Sequence, residues 1–329
     1  MAKVAINGLG RIGRAAMKMV IDEPELTLVA VNDLMEPSNA AYLLEHDSAY
    51  GNYHHEVSHS EEGLEIDGKM YRYLQSKDPE DLPWEEMEVH TVFECTGVFR
   101  KKKELEKHLK AGAKRVILSA PPKDDETESL IPGVSFPDRA PDIFSCASCT
   151  TNCIAPVVEV IGRRIGISKA VMTTIHAYTS SQALVDGPAS KVRRGRAAAM
   201  NLVPTTTGAA LATTEVLPEF RGKFDGCAVR APVVCGSMAD ITIVSRRSTM
   251  LDEVNRILKE EADTDRYRGI LGVTEKPLVS SDIIGNSHAS LVDLSMTQVI
   301  DEDLIKIMSW YDNEWGYTKQ MVRSALKAL

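Results

Sequence analysis

Short apolar runs alternate with helix-period segments through the first half of the chain. KVAI at 3–6 leads into NGLGRIGRAAMKMVID, followed by LTLVAVND at 26–33, VHTVFECTG at 89–97, the charged segment KKKELEKHLKAG at 101–112 and KRVILSAPP at 114–122. Strands that alternate with helices predict a parallel sheet covered on both faces, here over residues 1–148. After Cys153 the pattern changes. A helix at IAPVVEVIGRRIG gives way to longer β-rich runs, KAVMTTIHAYT at 169–179, CAVRAPVV at 227–234 and ADITIVSRR at 239–247. Such clustering predicts an α+β unit over 149–312 with a mostly antiparallel sheet. The stretch 180–203 is polar, basic and without a period, so it is expected to be a long loop. The tail NEWGYTKQMVRSALKAL has helical amphipathicity, and residues 313–329 are expected to return to the first unit.

Composition narrows the class of partner. A length of 329 residues suits two domains, each able to bury a core. With 43% hydrophobic and 26% charged residues the chain reads as soluble and globular. A formal net charge of -9 argues against nucleic-acid or membrane-surface binding, which relies on a broad basic excess. The opening MAKVAING lacks the apolar region of a secretory signal, so the expected location is cytoplasmic. Thiols are kept reduced there, which favours a metal or catalytic use of cysteine over a structural disulfide.

The first chemical signal is GLGRIG, with Gly8, Gly10 and Gly13 placed after a strand and opening a helix. Asp33 ends the second strand, 20 residues after Gly13. Glycines alone permit a bend, but strand, glycines, helix, second strand and terminal acid together form a dinucleotide fingerprint. Gly8 would allow the tight turn, and Gly10 would let backbone N–H groups approach a pyrophosphate at a helix N-terminus. Asp33 would accept hydrogen bonds from ribose hydroxyls and repel a 2′-phosphate, favouring NAD over NADP. The fold class is thus α/β, a Rossmann-type dinucleotide-binding domain joined to an α+β catalytic domain.

The second signal is CASCTTNC at 146–153, three thiols in eight residues. Its spacing alone fits a metal, a redox pair or a nucleophile. Cys149 stands where a helix begins, and unpaired helix N–H groups stabilise a thiolate. His176 in TTIHAY is a candidate base, since nucleophile and base can be distant in sequence. KVRRGR at 191–196, TTTG at 205–208 before a helix, and Arg230 within a strand offer the hydroxyls, N–H groups and guanidinium forks that bind phosphate esters. HHEVSH, with His54, His55 and His59, sits in a polar segment without a helical frame and is expected to be a solvated surface. No metal is assigned.

AINGLGRIGR, ASCTTNC, TIHAYT, RAAAMNLVPTTTGAA and SWYDNEWGY occur together in one order. In these motifs, along nearly its whole length, the sequence resembles the phosphorylating glyceraldehyde-3-phosphate dehydrogenases. The resemblance implies Cys149 as nucleophile and His176 as its activating base. It implies Arg11, Ile12, Asp33, Lys77, Ser119 and Asn313 as NAD contacts. It further implies that Ser148, Thr150, Thr179, Arg194, Thr207, Gly208 and Arg230 hold the substrate phosphate and the attacking inorganic phosphate. D-glyceraldehyde 3-phosphate would be the substrate, and a homotetramer the assembly.

Three departures accompany the resemblance. Cys146 stands where the family usually has Asn, Ser180 replaces a usual Asn, and RAPVVCGSMADIT differs from the usual RVPTxNVSVVDLT. Two other functions compete with the leading one. Erythrose-4-phosphate dehydrogenase shares the Cys and His but normally hydrolyses its thioester, and TTTG at 205–208 favours the glyceraldehyde phosphate type. A non-catalytic, redox-regulated binding protein is the other, although nothing catalytic is missing from the sequence.

Overall fold

The computed structural model describes residues 1–329 and divides into two compact units. One comprises Met1–Leu130, Pro137–Ala147 and Met321–Leu329, the other Ile131–Phe136 and Ser148–Gln320.

The first unit is a Rossmann-type domain built on an eight-stranded sheet. Its order is Ile143–Ser145, Arg115–Leu118, Thr91–Glu94, Ala2–Asn7, Leu26–Asn32, Lys69–Leu74, Gly63–Ile66 and Val57–His59. The first six strands pair in parallel. The last two add an antiparallel edge. Val4, Ala5 and Ile6 on the central strand are completely buried, which is why that strand reads as a continuous apolar run rather than an alternating one. Helix Arg11–Ile21 covers the sheet with Ala15, Ala16, Met17 and Val20. Helix Lys102–Lys110 buries Leu105 and His108 beneath a charged outer face.

That buried histidine belongs to a polar chain under the sheet's C-terminal edge. The Trp84 indole N–H donates to His108 Nδ1 at 3.0 Å, so the remaining ring proton sits on Nε2, 3.1 Å from Glu94 Oε2. Asn7 Nδ2 also donates to Glu94 at 2.6 Å, and Asn32 Nδ2 donates to Asn7 Oδ1 at 2.7 Å. Each buried polar group thereby finds a partner, which fixes the strand ends bearing Asn7, Asn32 and Glu94.

The second unit carries the mostly antiparallel sheet. Its order is Val203–Thr206, Phe224–Ala231, Ile167–Ala177, Ser237–Ser245, Leu304–Tyr311, Ser290–Ile300 and Leu271–Thr274. Two neighbouring pairs are parallel, Ile167–Ala177 with Phe224–Ala231 and Leu271–Thr274 with Ser290–Ile300. Helix Cys149–Arg164 lies in the core, where Cys153, Val157 and Ile161 pack in one cluster with Ile241, Ile243, Ile305 and Ile307. Residues 180–203 form turns and one 3₁₀ turn, Val192–Gly195, and no regular strand before Val203. No helix is long and apolar enough to cross a membrane.

Candidate active site

Cys149 is the first residue of its helix, and Ser148 is the N-cap. The Ser148 hydroxyl oxygen accepts the Thr151 N–H at 3.0 Å, so it satisfies one of the orphan donors of the first turn. This placement separates the three clustered thiols. Cys153, one turn further in, is fully buried beside Ser290 and the Ser309 carbonyl, and burial pushes its thiol up to about 12. Cys146 belongs to the first unit, is 1% exposed, and is also pushed up by burial to about 12. Cys149 is only half-buried. Burial raises its pKa too, but the Arg230 charge, the Thr150 hydroxyl and backbone N–H groups of the first turn oppose that rise. All six cysteines are free thiols.

The imidazole comes to this thiol through strand register. His176 pairs with Arg230 across the parallel strands Ile167–Ala177 and Phe224–Ala231. Its Nε2 lies 3.4 Å from Cys149 Sγ. Its Nδ1 lies 2.7 Å from the Ala177 carbonyl oxygen and 2.8 Å from Arg230 Nη1. Burial first, then the Arg230 charge, hold the imidazole pKa down at about 3, so the ring is neutral at physiological pH. A thiol facing a neutral imidazole is an arrangement in which the ring can serve as base to a sulfur nucleophile.

The residues named for phosphate recognition all belong to the second unit. Thr179 follows the His176 strand, with its hydroxyl 2.9 Å from that of Ser181. Arg194, in the 3₁₀ turn, donates from Nε to Thr205 Oγ1 at 3.0 Å. The Thr207 hydroxyl accepts the Ala209 N–H at 3.2 Å, and Gly208 is the N-cap of helix Ala209–Val216. A Cβ at Gly208 would meet no atom within 4 Å, so its backbone is open to a ligand. Arg230 keeps a buried Nε–H without a partner. Ser148 and Thr150 differ from open phosphate donors. The Ser148 hydroxyl caps the helix, and the buried Thr150 hydroxyl lies 2.8 Å from that of Tyr311.

Two residues not singled out in the sequence support the pair. The Tyr311 hydroxyl also meets Thr174 at 2.8 Å, and its ring stands edge-on to His176 at 5.9 Å. Ser237 accepts the Ala177 N–H at 3.1 Å, so its own proton goes to Asn313 Oδ1 at 2.8 Å. That orientation turns the Asn313 NH₂ away from Ser237. Tyr311 lies inside the conspicuous SWYDNEWGY run, but only the fold shows which of its residues point inward.

The first unit holds a separate cleft of about 720 Å³, lined by residues that include Gly8, Gly10, Asp33, Lys77, Thr96 and Phe99. Gly8 has φ of +94°, and a Cβ there would come within 2.7 Å of the Thr96 backbone nitrogen. A Cβ on Gly13 would lie 1.8 Å from the Gly8 carbonyl oxygen, whereas one on Gly10 would project into open space. The three glycines therefore serve the turn, the opening and the packing of helix on strand, a cradle that fits a dinucleotide pyrophosphate. Asp33 accepts the Leu9 N–H at 2.5 Å and the Met35 N–H at 2.9 Å, tying the glycine-rich turn to the second strand. Ile12 and Ser119 are not among the residues lining the cleft: Ile12 is in the first turn of helix Arg11–Ile21, the Ser119 N–H donates to the Glu94 carbonyl at 3.0 Å, and the Arg11 guanidinium is turned onto Asp47 at 2.5 Å. Gly13→Ala is expected to lower both thermal stability and NAD affinity, because backbone must shift to admit the methyl group. Overpacking of this kind costs about 1–3 kcal/mol. Thermal unfolding with and without NAD checks it.

Family models match the chain over both of these parts. The model described as glyceraldehyde 3-phosphate dehydrogenase, NAD binding domain, matches residues 2–102, and the one described as its C-terminal domain matches residues 148–313. The glyceraldehyde-3-phosphate dehydrogenase of Streptomyces coelicolor is 45% identical over 324 residues, covering 97% of this chain and 96% of the relative. That of Borreliella burgdorferi is 44% identical over 333 residues, 99% of each chain. That of Thermotoga maritima is 44% identical over 326 residues, 98% of this chain and 97% of the relative. The thiol beside an imidazole and the glycine cradle thus occur in a chain that belongs, along almost its whole length, to the NAD-dependent glyceraldehyde-3-phosphate dehydrogenase family.

Proposed function

We propose that the chain is a phosphorylating member of this family, converting D-glyceraldehyde 3-phosphate, NAD and inorganic phosphate to 1,3-bisphosphoglycerate and NADH. The observation that carries this reading is the 3.4 Å approach of Cys149 Sγ to His176 Nε2 at a helix N-terminus, with Arg230 against the same ring. His176 takes the thiol proton, and the sulfur attacks the aldehyde carbon to form a C–S bond and a hemithioacetal. The imidazolium returns that proton to the former carbonyl oxygen, and the neutral ring is then placed to take the hydroxyl proton as the carbon is oxidised to a thioester. NAD, when bound, supplies the hydride acceptor for that oxidation. An oxygen of inorganic phosphate adds to the thioester carbonyl, the C–S bond breaks, and Cys149 leaves as thiolate.

Two phosphoryl groups must be held at once, which accounts for the spread of anion-binding groups. Ser148, Thr150, Thr179, Arg194, Thr207, Gly208 and Arg230 are assigned to them. Gly8, Gly10, Gly13, Arg11, Ile12, Asp33, Lys77, Ser119 and Asn313 are assigned to NAD, with Arg11 offering its helix N-terminal backbone. Residues 1–148, 149–312 and 313–329 are assigned as NAD-binding domain, catalytic domain and closing helix. A cytoplasmic homotetramer is the expected form.

The test is steady-state NADH formation with glyceraldehyde 3-phosphate and with erythrose 4-phosphate, each with and without inorganic phosphate. Turnover is expected only with phosphate and mainly with the triose. Phosphate-independent turnover preferring erythrose 4-phosphate rejects the assignment. In the same assay, Asp33→Ala is expected to weaken NAD by about 1–3 kcal/mol, the cost of unpaired ribose hydroxyls, and to narrow the gap to NADP. Unchanged NAD affinity removes Asp33 from the site.

A further inference from the structure

Glu94 ends its strand completely buried, and every side-chain contact it makes is with a donor. Its Oε1 accepts the Thr96 N–H at 2.8 Å and also the Thr96 hydroxyl, whose oxygen takes the Val98 N–H at 3.1 Å. Its Oε2 accepts Asn7 Nδ2 at 2.6 Å and His108 Nε2 at 3.1 Å. Four donations into one group of this size call for a carboxylate. The two oxygens grip either side of Gly8. Asn7 directly precedes that glycine, and a Cβ on it would come within 2.7 Å of the Thr96 backbone nitrogen. The Gly8 N–H donates to the Asn32 carbonyl at 2.7 Å, and the Asn32 side chain is bound to Asn7 and to the Ser76 backbone. Asn7, Gly8, Asn32, Ser76 and Thr96 all line the cofactor cleft, whereas Glu94 lies beneath them.

We infer that Glu94 is a positioning residue for the cofactor, a buried clamp that holds the Gly8 turn in the shape that admits the adenosine diphosphate moiety, with Trp84 keeping its fourth donor in place through His108. The inference rests on the NAD assignment proposed above and adds to it residues buried beneath the ligand's site. Trp84 contributes because an indole nitrogen only donates. With that N–H on His108 Nδ1 at 3.0 Å, the ring has no lone pair to offer at Nε2. Asn7 is equally fixed. Its Oδ1 already accepts Asn32 Nδ2 at 2.7 Å, so its amide cannot turn over without breaking that bond. The Thr96 N–H is backbone and cannot be reversed. An amide in place of the Glu94 carboxylate would therefore find no acceptor for its NH₂, since both sides present donors. Asn7 or Thr96 has to withdraw, and the glycine turn held between them loosens.

The experiment titrates the whole enzyme calorimetrically with NAD and with ADP-ribose, which keeps the adenosine diphosphate part and lacks the nicotinamide. Glu94→Gln is expected to weaken both ligands alike, by about tenfold or more, the effect of a buried donor left without an acceptor. Its single-turnover NADH formation at saturating NAD is expected to stay within about twofold of wild type, a split between binding and chemistry that a general loss of structure does not give. A second pair of variants carries the test if Glu94→Gln does not fold. His108→Gln keeps one acceptor for Trp84 and one donor for Glu94, and is expected to bind ADP-ribose within about threefold of wild type. His108→Leu fills space with neither, and is expected to lose about as much affinity as Glu94→Gln. Unchanged ADP-ribose affinity in Glu94→Gln overturns the clamp, as does a loss confined to NAD or a leucine variant that binds as well as the glutamine one. Wild-type enzyme that binds neither ligand rejects the cofactor assignment itself, whereas tight wild-type binding with unaffected variants rejects the clamp alone.

Discussion

Cys149→Ser is expected to reduce NADH formation from glyceraldehyde 3-phosphate by roughly 10⁴-fold or more, the scale seen when a covalent nucleophile is removed. The size follows from where the thiol stands. Burial raises its pKa while the Arg230 charge and the helix-end N–H groups oppose that rise, and His176 Nε2 is 3.4 Å away to receive the proton. A serine hydroxyl in the same place is a far weaker acid, so the same base and field leave it protonated and slow to attack. Folding and NAD affinity are expected to stay near wild type, because the half-buried Cys149 is not a core thiol like Cys153 and the cofactor cleft belongs to the other unit. Iodoacetamide at one equivalent is expected to label Cys149 first, as shown by peptide mapping, with loss of activity in proportion. First labelling at another of the six thiols, or substantial turnover by the serine variant, overturns the assignment.

Local signals in the sequence carried the nucleotide half further than the catalytic half. The glycine turn, helix Arg11–Ile21 and the acid ending the next strand lie within one short βαβ unit, where each residue's role depends on near neighbours. The apolar runs of the parallel strands were visible for the same reason. The antiparallel strands Gly63–Ile66 and Val57–His59 were not: the edge strand Val57–His59 has no buried residue, and Gly63–Ile66, although it buries Leu64 and Ile66, is too short at four residues for a period to stand out. In the second unit the individual strands could be read, but their pairing could not. Arg230 reaches His176 through a parallel pairing inside a mostly antiparallel sheet, across 54 residues of chain. No periodicity encodes that register. The same holds for Tyr311, whose hydroxyl meets Thr150 and Thr174 from more than 130 residues away, and for Ser237, whose role depends on Asn313 lying beside it. Motif resemblance named most of these positions without supplying the contacts that define their work.

His176→Asn is expected to slow acylation by about 10²–10⁴-fold near neutral pH, the usual contribution of a positioned general base. The pH dependence gives the more discriminating result. Burial and the nearby Arg230 hold the wild-type imidazole pKa down at about 3, so its base form persists throughout the range from pH 5 to 9. Once substrate is bound, the wild-type single-turnover rate should therefore change little with pH across that range. Asparagine cannot take the proton, and the variant then depends on direct ionisation of Cys149, whose thiol burial keeps above its ordinary value. Below that pKa the thiolate fraction grows about tenfold per pH unit, so the variant's rate should rise by about that factor and its deficit should shrink on going alkaline. NAD affinity should be unaffected, since no residue lining the cofactor cleft has changed. Stopped-flow NADH formation at saturating NAD and aldehyde, taken at each pH unit, reads both predictions. A deficit that stays constant from pH 6 to 9 assigns His176 a structural effect on the site instead of proton transfer. Wild-type rates in the variant identify some other group as the base, with the neutral imidazole reduced to shielding the sulfur from water.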